Sequence, residues 1–229
     1  KHTIDYWRDY CRKCGIGEIH LLAVDFALNT ISKQAGFDGF VEFPPHSVYN
    51  YSMEPINSHL AVIDSTYAGN IFDYGQIVRE KRYLGTNLDK YYKGIFLGWD
   101  NTARRPKNAT VYHNFTISAF KEWLTDISRI TMKNHDIDDR FVFINAWNEW
   151  AEGTYLEPDR QYGHAALEAV RQVLLSQTSS RKGIIYVSHD ACYNGAQLLS
   201  LNIIEQLSKV YKYNVFVILI NGASCIIQT

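Results

Sequence analysis

Residues 141–146 read FVFINA, a short run of apolar, aromatic and β-branched side chains with no polar alternation. A strand of this kind is buried on both faces, and strands buried on both faces belong to parallel sheets whose connections are helices. The segments around it fit that requirement. Ile117, Phe120, Leu124 and Ile127 recur at i, i+3, i+7 and i+10, which predicts an amphipathic helix over about 117–132. Leu167, Val170, Val173 and Leu174 mark a second helix over 165–175. Earlier in the chain, apolar runs at 19–24, 37–43 (stopped by Pro44 and Pro45) and 94–99 read as strands, and 74–84 as a short helix. Ile4, Trp7, Cys11 and Cys14 recur at helical spacing before Gly15. Strand and helix thus alternate, with polar loops where strands end, as in an α/β barrel or an open doubly wound sheet.

The rhythm breaks at 176–182, SQTSSRK, and restarts with a strand at 184–187, a helix striped by Leu199, Ile203, Leu207 and Val210, and a strand at 215–220. The expected organisation is a first domain over 1–176, a linker over 177–183, and the opening βαβ unit of a second, Rossmann-like domain over 184–229. One such unit cannot build a two-faced sheet. With Lys1 in place of an initiator Met, the chain is likewise expected to be a piece of a longer polypeptide, whose remainder is an expected partner.

Composition narrows the function. With a net charge of −1, the chain has no basic excess for nucleic acid or an anionic membrane surface, and no apolar run is long enough to span a bilayer. A neutral substrate fits better, and the 16 Tyr and 5 Trp include rings able to stack on sugar faces. The C-x-x-C pair Cys11 and Cys14 has no second pair nearby, so no metal is expected and the thiols read as helix-face cysteines in a reducing compartment.

The densest chemistry follows the buried strand. Residues 146–159, AWNEWAEGTYLEPD, hold Glu149, Glu152, Glu157 and Asp159 interleaved with Trp147, Trp150 and Tyr155. Strand C-termini line the active-site mouth of a barrel. Glu149 and Glu152 are three apart; a turn-like backbone would bring them within roughly 5–6 Å, the approach that glycosidic chemistry asks of two carboxyl groups, whereas an extended backbone would part them. One must stay protonated to serve the leaving oxygen while its partner stays charged. The tryptophans would supply a stacking surface and an apolar neighbourhood that raises one carboxyl pKa. Carboxylates that cap the next helix or face water would show the same spacing.

FINAWNEWAEGTYLEPD, together with GFDGFVEFPP at 36–45 and GWDNTARR at 98–105, resembles the glycoside hydrolase family 99-like domain, also called the WbsX-like glycosyltransferase family, of bacterial polysaccharide-synthesis proteins. The resemblance covers residues 1 to about 175. It implies the C-terminal part of a (β/α)8 barrel similar to that of endo-α-mannosidases and endo-α-mannanases, in which an N-E-W-x-E-G motif carries the catalytic pair. Glu149 then matches the residue that activates the sugar 2-hydroxyl, and Glu152 the general acid/base. The implied mechanism is retaining, through a 1,2-anhydro sugar, with no metal, and the outcome is cleavage or transfer of α-linked, mannose-like units. The motif residues do not separate hydrolase from transferase. A barrel that only binds or positions glycan for a neighbouring nucleotide-sugar glycosyltransferase is the alternative.

Further substrate contacts are expected from Asn148, Trp147, Trp150, Tyr155 and Glu157 in the motif, from Trp99, Asp100 and Asn101 at a strand end, from Arg104 and its neighbour Arg105, and from Glu42 before the two prolines. His113 and His164 read as structural. The tail, IIYVSHDACYNGAQLLSLNIIEQL, resembles the first strand, loop and helix of a GT-B glycosyltransferase of the retaining family 4 kind, with His189, Asp190, Gly195 and Ala196 in the loop facing the cleft. A nucleotide sugar would be its donor when the domain is complete. The setting implied is surface-polysaccharide (O-antigen or capsule) assembly in the bacterial cytoplasm or at the inner face of the membrane, on an oligo- or polysaccharide substrate.

Overall fold

The structure, a computed structural model, describes residues 2–25, 36–49, 53–84, 90–177, 183–188 and 214–219. It opens with helix α1 (His2–Lys13). Only Ile4 and Cys11 of the expected four-residue stripe are buried, with Ile19 and Leu21; Trp7 is 48% exposed and Cys14 is exposed. Two residues seven apart are all that this narrow contact requires. Arg8 ties the helix down, donating from Nη1 to the Ile19 carbonyl at 2.9 Å and from Nη2 to Asp38 Oδ2 at 2.7 Å.

Strands β1 (Leu22–Asp25) and β2 (Gly39–Glu42) follow, then the one-turn helix α2 (His46–Tyr49), β3 (Asn70–Asp73) and α3 (Tyr74–Arg79). Next come β4 (Tyr91–Phe96), β5 (Trp99–Asp100), β6 (Thr110–His113), α4 (Ile117–Asn134) and β7 (Val142–Asn145). The hairpin β8 (Asn148–Glu149) and β9 (Thr154–Tyr155) leads into α5 (Ala165–Gln177). Strands β10 (Gly183–Ser188) and β11 (Asn214–Leu219) pair in parallel in register from Gly183 with Asn214 to Ser188 with Leu219. The predicted helix between them, and the loop of His189 and Asp190, lie outside the described residues.

The main sheet is β1-β2-β4-β7, parallel throughout, so the fold is mixed α/β. Strand order follows chain order without reversal, and Asp25 pairs Glu42 as Phe96 pairs Asn145, so the C-terminal ends gather along one edge. Gly94 is required where β4 passes β2: a Cβ there would lie 2.1 Å from the Glu42 carbonyl oxygen. The core lies between this sheet and α3, α4 and α5. Phe120, Leu124 and Ile127 of the predicted stripe are fully buried, and Trp123 stacks on Tyr83 at 5.2 Å and 16°. Thr116 caps α4 by accepting from the Ala119 amide at 3.1 Å.

Two expectations are corrected. The strand read at 94–99 ends at Phe96; Trp99 and Asp100 leave the main sheet and pair antiparallel with β6 in a separate three-stranded sheet ordered β3-β6-β5. The helix read at 74–84 is α3 followed by a 3-10 turn at Arg82–Leu84.

Candidate active site

The edge formed by the strand C-termini collects the chemistry. After β7 the chain turns at once, with a cis peptide between Asn145 and Ala146. Asn145 donates to the Pro44 carbonyl at 2.9 Å, and Thr154 Oγ1 donates to the Asn145 carbonyl at 2.7 Å, which anchors the β8–β9 hairpin on the end of β2. The hairpin is closed by a 3-10 turn over Trp150–Glu152 and by Gly153 at φ 66. An added Cβ on Gly153 would lie 2.9 Å from the Asp100 amide nitrogen, so the loop packs directly on the end of β5.

Glu149 precedes the 3-10 turn and Glu152 ends it. The backbone that joins them is therefore a turn and not a continuous strand, and the pair lies close enough for the Glu149 charge to act on Glu152. Burial pushes Glu152 above the ordinary carboxylate range; Arg104 and Arg105 oppose this and the Glu149 charge adds to it. Arg104 Nη1 meets Glu152 Oε1 at 2.5 Å across 48 residues of chain, with the Glu152 side chain 23% exposed. Glu152 is thus held in surroundings that favour its protonated form, as a proton-donating carboxyl requires.

Trp150 is half exposed, stacks on Tyr155 at 3.8 Å and 18°, and donates from Nε1 to Glu157 Oε2 at 2.7 Å. Tyr155 donates to Asp159 Oδ2 at 3.1 Å. Trp150, Tyr155 and Glu157 thus come together on the hairpin that carries the Glu pair, whereas Trp147 packs against the main core, and Asn148 is exposed opposite Tyr155. Asp100 lies under the turn, and its Oδ1 accepts from the Thr102 amide at 2.9 Å. Asn101 closes its own loop, accepting from the Thr110 amide at 2.8 Å. Trp99 is only 4% exposed and belongs to the core.

Glu42 ends β2 but is 2% exposed, and its carboxylate faces inward. Lys93 Nζ lies 3.7 Å from Glu42 Oε1, the Gly94 amide donates to Oε2 at 3.2 Å, and Lys93 also donates to the Tyr83 carbonyl at 2.7 Å. Burial lowers the Lys93 pKa, and Glu42 opposes that shift. Tyr91, two residues before Lys93 and on the same face, donates to Asp25 Oδ2 at 3.1 Å; burial, then Glu42 and Asp25, drive its pKa far up, so it remains a neutral donor.

Sequence reasoning passed over His46. Its ring stacks on Phe43 at 6.0 Å and meets Trp99 edge-on at 6.0 Å, and burial followed by the nearby Arg105 charge lowers its pKa. Its position directly after the strand-ending prolines was the available signal. Among the described residues, no group of three or more His, Cys, Asp or Glu is placed to hold a metal ion, and no helix is long and apolar enough to cross a membrane.

No solved structure gives a significant match to the chain. The "Uncharacterized protein WxcX" of Xanthomonas campestris pv. campestris strain B100 is 37% identical over 173 residues, which are 75% of this chain and 24% of that protein. The WxcX protein of strain ATCC 33913 matches with the same identity and coverage. The chain therefore spans about a quarter of the length of these curated relatives. A family model described as "Glycosyltransferase WbsX" matches residues 1–170, the stretch that holds Glu149 and Glu152. On that match the chain belongs to the WbsX glycosyltransferase family.

Proposed function

We propose that this chain carries the carboxylate pair of an enzyme that breaks and remakes glycosidic bonds in bacterial surface-polysaccharide assembly. The observation that carries it is the state of Glu152: on one turn with Glu149, and pushed up by burial and by that neighbour despite Arg104. A carboxyl so held keeps its proton nearer neutral pH and can give it to a leaving oxygen. Glu149 acts as the base that draws the proton from the sugar 2-hydroxyl, whose oxygen closes on the anomeric carbon as the leaving group departs with the proton of Glu152. Water or an acceptor hydroxyl then reopens the 1,2-anhydro ring at the anomeric carbon, Glu152 taking the proton of the attacking hydroxyl while Glu149 returns its proton to the 2-oxygen. Trp150 and Tyr155 form the stacking surface, and Arg104 holds the Glu152 carboxyl in place between turnovers.

Within this reading, the four parallel strands in chain order are an arc of a (β/α)8 barrel, since an open doubly wound sheet reverses its strand order. Glu42, Lys93, Tyr91 and Asp25 are its interior polar layer. Residues 184–229 begin a GT-B domain that uses a nucleotide sugar, after a linker over 177–183, and the protein works in the cytoplasm. Glu152→Gln in the full-length protein tests the proposal. Loss of turnover on α-manno-oligosaccharides with sugar binding retained supports it. Unchanged turnover sinks it and leaves the barrel as a glycan-positioning module.

A further inference from the structure

A cavity of about 410 Å3 opens beside the β8–β9 hairpin, on the side walled by β5, β6 and the start of α5. We propose that it is a second subsite that takes a neutral sugar ring, the acceptor end of the glycan, and excludes the phosphate-bearing part of a nucleotide sugar. The assignment of the ring as an acceptor rests on the glycosidic reading above; the class of ligand rests on the cavity lining.

The volume lies in the range of roughly 300–1,000 Å3 typical of small-molecule sites. Phe115, Tyr155 and Tyr162 line it, and Phe115 meets Tyr162 edge to face at 5.7 Å and 85°, a rigid aromatic corner of the sort on which the C–H face of a pyranose stacks. Three carboxylates also line it, Asp100, Glu157 and Asp159, and no Lys or Arg does. Each is partly committed: Asp100 Oδ1 to the Thr102 amide, Glu157 Oε2 to Trp150, and Asp159 to the Tyr155 hydroxyl and the Tyr162 amide. Asp100 Oδ2 and Glu157 Oε1 make no hydrogen bond among the described residues and can accept from sugar hydroxyls.

The starts of α4 and α5 contribute Ile117 and Ala166 to the lining, and two helix N-termini would by themselves attract an anion. Their combined partial charge is about that of one positive unit, and three carboxylates outweigh it, so a phosphate entering would meet net repulsion. A polyhydroxyl compound without charge is what remains. The cavity shares Tyr155 with the ring stack on Trp150, so its occupant leans on the same hairpin that carries Glu149 and Glu152.

The test uses the full-length protein and saturation-transfer NMR with methyl α-D-mannopyranoside, methyl α-D-glucopyranoside and methyl α-D-galactopyranoside, against UDP and inorganic phosphate. His113 and Gln161 are exposed lining residues outside the core, so His113→Ala with Gln161→Ala strips polar contacts without disturbing the fold. Val111→Trp fills the cavity from β6 as an independent route. At least one glycoside is expected to bind, about tenfold more weakly in the double variant, with binding abolished in the filled one. Binding unchanged in both variants overturns the subsite, as does displacement of the glycoside by UDP or phosphate from the unmutated protein. If Glu152→Gln stops turnover while the cavity variants bind normally, the subsite falls and the glycosidic reading stands. If the cavity variants lose glycoside while Glu152→Gln stays active, the reverse holds.

Discussion

At the scale of single residues, the site turns on how one carboxyl is held. On the proposed reading, Glu152→Gln removes the proton donor and is expected to lower kcat by about 10²–10⁴-fold with sugar binding preserved, measured by product mass over time. Because burial and Glu149 raise the Glu152 pKa, its acidic form persists above the ordinary carboxylate range, and kcat/KM falls as pH rises through the raised value. The same sign applies to stability: folding favours the protonated group, so its contribution is present at low pH and is lost as pH climbs through the raised value. Arg104 holds Glu152 toward the charged form, so Arg104→Ala should move the alkaline limb of the rate profile upward. A limb that stays put, or moves down, would show that Arg104 does not set this titration. Deeper in the sheet, Lys93→Met leaves Glu42 buried without its ammonium and should cost about 3–5 kcal/mol in denaturant unfolding, with part of the loss recovered by adding Glu42→Gln.

At the scale of elements, the β8–β9 hairpin is what would position the proposed Glu pair. Gly153 is left-handed and its α-carbon faces Asp100, so Gly153→Ala adds both backbone strain and a contact that must push the turn off β5. The expected result is a fall in kcat larger than any change in thermal midpoint, read by comparing steady-state kinetics with calorimetry. The carboxylate turn itself was legible, because E-x-x-E between tryptophans follows an apolar strand. So were α4 and α5, since a stripe repeating at helical spacing over about two to three turns fits no strand alternation. The pair β3 and β6 was not: Asn70–Asp73 and Thr110–His113 are four-residue strands whose edges carry polar side chains, and only their pairing with each other and with Trp99 and Asp100 makes them sheet. His46 escaped for a similar reason, since its burial comes from Trp99 and Phe43, and Trp99 lies 53 positions away in the chain.

At the scale of the molecule, β1 and β7 form the two outer strands of the sheet in the described residues. An arc with two open parallel edges is a template for pairing with another chain. Residues 1–176 expressed alone should therefore unfold with a midpoint that depends on protein concentration, or self-associate in sedimentation; a sharp, reversible and concentration-independent transition would contradict the barrel-arc reading. Apolar periodicity, strand-ending prolines and the carboxylate-tryptophan string determined by themselves the α/β class, the two long helices and the place of the Glu pair, because these follow from local geometry and from which side chains must leave water. Tertiary structure alone decided that Glu42 turns inward to Lys93, that Asn101 closes its own loop, and that Arg104 reaches Glu152 across 48 residues of chain. A charged side chain's role is set by which opposite charge or hydrogen-bond donor the fold brings within a few ångström, and contacts between distant residues leave no period in the sequence.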